Sequence, residues 1–183
     1  MTEIVWHGRG GQGAFTAARL LGAAYTMRGD DRYALAFPSF GPERRGAPIR
    51  AFTKLDNKPI GDRSEVEKGD YSIFLDDTLF AEAAFSELKP EGKILLNTKR
   101  SPADSRVIAI DGDTLAAEVL KLPITNTIML GTFAAIFRDI TLAEIVEAIR
   151  HHRKLSAAEA KAEAIKYLKM VNIPNPEERA KQY

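Results

Sequence analysis

A short β-branched, apolar run, Glu3–His7, leads straight into His7-Gly8-Arg9-Gly10-Gly11-Gln12-Gly13, and an alanine-rich segment follows at once. No other stretch restricts the chain as much. Residues of the first kind favour an extended backbone, and the glycines permit a tight reversal. Ala14, Ala17, Ala18, Leu21, Ala24 and Tyr25 then recur at helical spacing and predict a helix from about Gly13 to Arg28. A chain that opens strand, glycine turn, helix is set up to bury that strand inside a sheet with the helix on its face.

The rhythm continues downstream. Strands are predicted at Tyr33–Phe37, Ile49–Leu55, Tyr71–Leu75, Lys93–Asn97 and Arg106–Ile110. Tyr71–Leu75 is nearly all apolar, as expected of a strand buried on both faces. Thr78–Leu88 carries Leu79, Ala83 and Ala84 at helical spacing and reads as a helix. After Asp111 the pattern turns helical: a short helix at Thr114–Leu120, then Asn126–Phe137, where Gly131 and Ala134 are expected to allow close packing. Thr141-Leu142-Ala143-Glu144 and Ser156-Ala157-Ala158-Glu159 are capping boxes, each opening a further helix, the second running to about Val171. The fold class is therefore α/β: a three-layer αβα sandwich with a Rossmann-like, mostly parallel or mixed sheet and a helical C-terminal part. No internal repeat divides the chain, which reads as a single domain over 1–183, with 172–183 as an extended tail.

Composition excludes several chemistries. The 183 residues include no cysteine, and 26 Lys+Arg stand against 25 Asp+Glu, a formal net charge of +1. A chain without cysteine has no disulfide, no thiolate metal site, no Cys-ligated iron–sulfur cluster and no Cys nucleophile. Balanced charge argues against a general nucleic-acid binder. The N-terminus has no basic segment followed by an apolar run, and no stretch is apolar enough to span a bilayer. A cytoplasmic protein that does not engage a membrane is expected.

Two segments carry candidate chemistry. Gly8, Gly10 and Gly13 form G-x-G-x-x-G between a strand and a helix, where the helix N-terminus offers free N–H groups to an anion. Asp30 and Asp31 follow Gly13 by 17 and 18 residues, about where a ribose-binding acid sits in dinucleotide sites. The same glycines also serve plain strand–helix packing, and Arg9 and Gln12 are larger than a tight pyrophosphate turn requires. The second segment is Phe37–Pro48, a loop dense in proline and glycine. Its adjacent Arg44 and Arg45 suit phosphate or carboxylate, or else pair within the chain. Catalytic constellations are weak. His7 reads as a hydrogen-bonded turn histidine. His151 and His152 are helix neighbours pointing about 100° apart, a poor geometry for one metal. Asp76, Asp77, Asp111 and Asp113 lie at strand ends and read as caps and turn residues. There is no Walker lysine and no nucleophile elbow.

In combination these residues resemble a known family. H-G-R-G-G-Q-G at His7–Gly13, Ala36-Phe37-Pro38, F-G-P-E-R-R-G-A-P at Phe40–Pro48, Ala51-Phe52-Thr53 and Asn126–Gly131 are similar to the gamma subunit of 2-oxoacid:ferredoxin oxidoreductases, the pyruvate (pyruvate synthase) type above all. The likeness runs from about Glu3 to Arg150. It implies an α/β subunit packed against a catalytic core that converts a 2-oxoacid and coenzyme A to acyl-CoA, CO2 and reduced ferredoxin. It implies thiamine diphosphate, Mg2+ and iron–sulfur clusters in partner subunits (alpha, beta and a ferredoxin-like delta) and none in this chain. Ferredoxin is then the electron acceptor of the complex and coenzyme A its co-substrate. No residue here is assigned a catalytic role. Arg9, Gly10, Gly11, Gln12, Arg44 and Arg45 are the candidates for contact with coenzyme A or with another subunit. The alternatives are a stand-alone NAD(P)-dependent oxidoreductase using the glycine turn, and a purely structural interaction module.

Overall fold

A computed structural model of the chain describes residues 1–39, 45–121 and 124–153. Its centre is β1 (Thr2–Arg9), flanked by strands on both sides; Ile4, Val5 and Trp6 are almost wholly buried. The chain then passes through α1 (Ala14–Thr26), β2 (Tyr33–Pro38), β3 (Pro48–Asp56), β4 (Gly69–Phe74), β5 (Leu88–Asn97) and β6 (Val107–Ile110). The sheet order is β2-β3-β1-β4-β5-β6. β3 runs antiparallel to both neighbours, whereas β1, β4, β5 and β6 pair in parallel. The sheet is thus mixed, as expected, and the carboxyl ends of β1, β4, β5 and β6 share one edge.

One face carries α-helices. α1 packs there with α3 (Asn126–Ile136) and α4 (Leu142–Arg153), over Trp6, Ala51, Leu55, Ile73, Leu75 and Leu95. Because α1 presents Ala14, Ala17, Ala18 and Ala24 to the strands, it can lie close to them. The one polar group on Trp6 is satisfied: Nε1 donates to Thr53 Oγ1 at 3.0 Å, and Thr53 Oγ1 donates to the Ala18 carbonyl at 3.1 Å. α4 begins as predicted. The Thr141 amide donates to Glu144 Oε2 at 2.6 Å, and the Glu144 amide returns to Thr141 Oγ1 at 3.3 Å, a reciprocal capping box.

The opposite face is covered differently from expectation. Instead of one helix over Thr78–Leu88, two 3-10 turns form, Asp77–Leu79 and Glu82–Glu87, joined through extended backbone at Phe80 and Ala81. They close over Phe74, Ile94 and Leu96. Residues 57–68 close the rest, with Val66 against Val5 and Phe52. That strap is tied by Lys54, whose side chain is 1% exposed and whose Nζ donates to Asp62 at 2.5 Å. Glu3 lies 3.7 Å from Lys54 and 3.0 Å from Lys89, which also meets Asp70 at 2.8 Å. The lysine ammonium and the Ser64 hydroxyl and amide hold the Asp62 carboxyl well below its ordinary range.

α2 starts a little earlier than predicted, at Gly112–Leu115, and widens into a π-type turn over Ala116–Leu120 that ends on Lys121 in left-handed backbone. Among the described residues a Cβ built at Gly131 meets nothing within 4 Å, so the close packing expected there is not made with these residues. The helix predicted from Ser156 to Val171 and the tail 172–183 lie outside the described residues, as do residues 40–44.

Candidate functional site

The glycine turn sits at the carboxyl edge, between the end of β1 and the start of α1. Gly11 (φ 97°) and Gly13 (φ 80°) adopt left-handed backbone that other residues rarely take. Gly13 is doubly required, since a Cβ there would lie 2.4 Å from Asn126 Nδ2. Asn126 donates that Nδ2 to the Gly13 carbonyl at 3.2 Å, which joins the first turns of α1 and α3. Neither helix has a side-chain N-cap to the helix amides from its N-cap residue or an acidic residue in its first turn. The free amides and dipole of α1 therefore favour negative charge at this edge.

Gly10 is not free to bind a ligand through its amide. Its N–H donates to the Ala47 carbonyl at 2.8 Å, and its carbonyl accepts from Gly46 N–H at 3.0 Å. This bridge, opposite Arg45, brings the arginine-bearing loop against the glycine turn. Of the residues expected to act together, Arg9 and Gln12 are hydrogen-bonded and Gly10 pairs with Arg45 through the backbone. Arg45 is exposed, and Arg44 lies outside the described residues.

Arg9 and Gln12, oversized for a bare phosphate turn, have a clear function in the fold. Arg9 Nε donates to Asp76 Oδ2 at 3.0 Å, Nη2 to Thr78 Oγ1 at 2.8 Å and Nη1 to the Gly46 carbonyl at 3.1 Å. Gln12 Nε2 donates to the same Asp76 oxygen at 3.2 Å, and Gln12 Oε1 accepts from the Arg9 amide at 2.7 Å. Asp76 Oδ1 takes the Thr78 amide at 3.0 Å and the Thr78 hydroxyl at 2.5 Å. Burial raises the pKa of this carboxyl, but the Thr78 and Gln12 hydrogen bonds and the Arg9 charge outweigh it. Asp76 stays ionised, below its ordinary value. Asp76 is thus a cap, as its position predicts, and also the hub of the site. Asp111 is likewise a cap, accepting from the Thr114 amide at 2.9 Å, whereas Asp113 lies inside α2 and accepts from Asn97 Nδ2 at 3.0 Å.

His7 is not a hydrogen-bonded turn residue. It lies within β1, is 9% exposed and stacks flat on Phe74 with ring centroids 4.1 Å apart. Its Nε2 is buried without a hydrogen-bond partner among the described residues, and Glu87 Oε2 is 3.7 Å away, beyond reach. Burial, with a smaller push from the Arg50 charge, lowers its pKa to about 4, so the ring is neutral and Glu87 forms no ion pair with it near neutral pH.

The geometry excludes a dinucleotide site of the expected kind. Asp30 and Asp31 precede β2, whose first residue pairs with Asp56, while Leu55 pairs with Thr2 at the start of β1. The two acids therefore lie at the amino edge, a full strand length from the glycine turn. β3 also separates β2 from β1. Metal chemistry finds no donors either: the chain has no cysteine, and among the described residues no three His, Asp or Glu groups gather. Without cysteine the donor set does not fit a Cys-ligated iron–sulfur cluster.

Fold and site define a class: a mixed-sheet α/β protein with an anion-favouring glycine turn braced by an arginine. The sequence of residues 3–167 matches the family described as pyruvate ferredoxin/flavodoxin oxidoreductase. The pyruvate synthase subunit PorC of Methanothermobacter marburgensis is 41% identical over 175 residues, 93% of this chain and 98% of that one. The common gamma subunit of the pyruvate and ketoisovalerate oxidoreductases of Pyrococcus furiosus is 41% identical over 160 residues, covering 82% and 85%. In three dimensions the chain is similar to the crystal structure of the pyruvate oxidoreductase subunit PORC of Thermotoga maritima, with a TM-score of 0.75, 32% identity and 91% of each chain covered. The chain belongs to the pyruvate ferredoxin/flavodoxin oxidoreductase family, as a gamma subunit.

Proposed function

We propose that this chain serves, as one domain, in a cytoplasmic pyruvate:ferredoxin oxidoreductase and supplies part of the surface that receives coenzyme A. The observation that carries this reading is the carboxyl edge: an uncapped α1 N-terminus, left-handed glycines and two arginines, Arg9 and Arg45, from adjacent loops. Such an edge suits the phosphates of coenzyme A. The reaction itself, oxidative decarboxylation of the 2-oxoacid with acyl transfer to coenzyme A and electrons to ferredoxin, needs groups that this chain does not offer. Thiamine diphosphate with Mg2+ and the iron–sulfur clusters then belong to alpha, beta and ferredoxin-like delta partners. Pyruvate is favoured as the oxoacid because the relatives are named for it. One relative is named as common to pyruvate and ketoisovalerate enzymes, which fits a gamma subunit that leaves the choice of oxoacid to its partners.

The subunit role is tested by recovering a tagged copy of the chain from its native cell. Larger chains carrying thiamine diphosphate and iron–sulfur clusters are expected with it. Recovery of the chain alone would overturn the reading. The coenzyme A surface is tested in the assembled enzyme with Arg44→Ala and Arg45→Ala together. The KM for coenzyme A should rise, and an unchanged KM with normal assembly would sink that part.

A further inference from the structure

The Asp76–Arg9–Gln12 cluster goes beyond that reading while resting on it. It joins three loops: the glycine turn, the end of β4 and the β2–β3 connection. A brace alone would explain the contacts of Arg9, but their distribution points further. Asp76 meets the guanidinium only through Nε, at 3.0 Å, and shares that oxygen with Gln12. Its other oxygen is occupied by both donors of Thr78. The two terminal nitrogens of Arg9 are directed to neutral oxygens, Thr78 Oγ1 and the Gly46 carbonyl. A guanidinium has five N–H bonds, and contacts among the described residues use three. The Arg9 side chain keeps 34% of its surface exposed, against 16% for Asp76. The arrangement clamps the guanidinium through Nε at the carboxyl edge of the sheet, in the loop that leads to the start of α1, and leaves about a third of the side chain exposed.

We infer that Asp76 is a positioning residue: it sets Arg9, with Gln12 and Thr78, in the orientation that engages a phosphate group of coenzyme A. Removing the carboxylate charge lets Arg9 swing among rotamers, so the acceptor is met less often while the chemistry in the partner subunits is untouched.

The test is steady-state kinetics of the assembled enzyme with Arg9→Ala, Asp76→Asn, both together, and Thr78→Val. Asp76→Asn should raise the KM for coenzyme A by about fivefold to twentyfold, the scale of one charge-assisted contact, with kcat and the KM for the oxoacid within about twofold. The double variant should be no worse than Arg9→Ala, because Asp76 acts through Arg9. Should Asp76→Asn impair assembly, Thr78→Val, which removes one acceptor of Arg9 without changing charge, should raise the same KM by a smaller factor. If Arg9→Ala raises the KM but Asp76→Asn and Thr78→Val do not, the positioning role is wrong while the coenzyme A surface stands. Additive effects in the double variant would overturn it as well. If Arg9→Ala leaves the KM unchanged, Arg9 is no part of that surface and the positioning role falls with it; the Arg44/Arg45 variant still judges the surface independently.

Discussion

His7 shows how far a single residue's environment can depart from its local sequence. Next to a glycine turn, an imidazole is expected to hydrogen-bond; here it lies on the strand row shared with Phe74, and the parallel pairing of β1 with β4 lays the two rings together. The groups facing it are the Arg50 cation and the Glu87 carboxylate. Its folded pKa of about 4 lies below the unfolded value of 6.5. As pH falls below 6.5 the unfolded chain takes up this proton and the folded chain does not, so stability is lost between pH 6.5 and about 4. Near pH 4.5 that loss amounts to about 2 to 3 kcal/mol. His7→Phe keeps the ring stack and removes the titration. Urea unfolding at pH 7 and pH 4.5 should show the variant losing less stability than the parent by about that amount. Equal losses in the two proteins would contradict the neutral, buried ring. At the same scale, the glycine positions were legible, because φ preferences are local. That Gly13 must be glycine because of Asn126 was not, since the contact joins residues 113 apart in the chain.

At the scale of elements, strands and capped helices follow their sequence patterns, and the one replaced helix has a steric cause. Leu79, Phe80, Ala84, Phe85 and Leu88 all pack on the same face of the sheet. On one continuous helix they would spread over roughly 240° at 100° per residue, so several would point to solvent. Breaking the segment at Phe80 and Ala81 turns them all inward, and Phe80 fits edge-on between Phe74 and Phe85, with centroids 5.5 and 5.9 Å apart. Of the three residues at helical spacing, Leu79 and Ala84 pack inward while Ala83 is exposed, so the spacing signalled burial for two of them and did not signal the backbone form. α3 gives the complementary case. Gly131 sits in a helix interior where no described residue lies within 4 Å of a built Cβ, so Gly131→Ala should stabilise the purified chain by about 0.5 to 1 kcal/mol through helix propensity. Thermal unfolding reads this directly; a destabilised variant would mean that the position is crowded after all.

At the scale of the whole molecule, strand order decides what the glycine turn can serve. With β3 inserted between β1 and β2, and with the acids Asp30 and Asp31 at the amino edge, G-x-G-x-x-G loses the partner a nicotinamide ribose would need. The same order puts the β2–β3 connection and the end of β4 on either side of Arg9. The amino-acid sequence by itself determined the strand–turn–helix opening, the α/β alternation, the absence of any thiolate chemistry and, through its motifs, the family. These depend on local periodicity, on backbone preference and on composition, all of which can be read along the chain. The tertiary structure alone decided that Asp76 and Gln12 clamp Arg9, that Asn126 closes on Gly13 and that His7 is sealed against Phe74. Each of these contacts depends on strand order and register, and these are settled by how the whole chain packs.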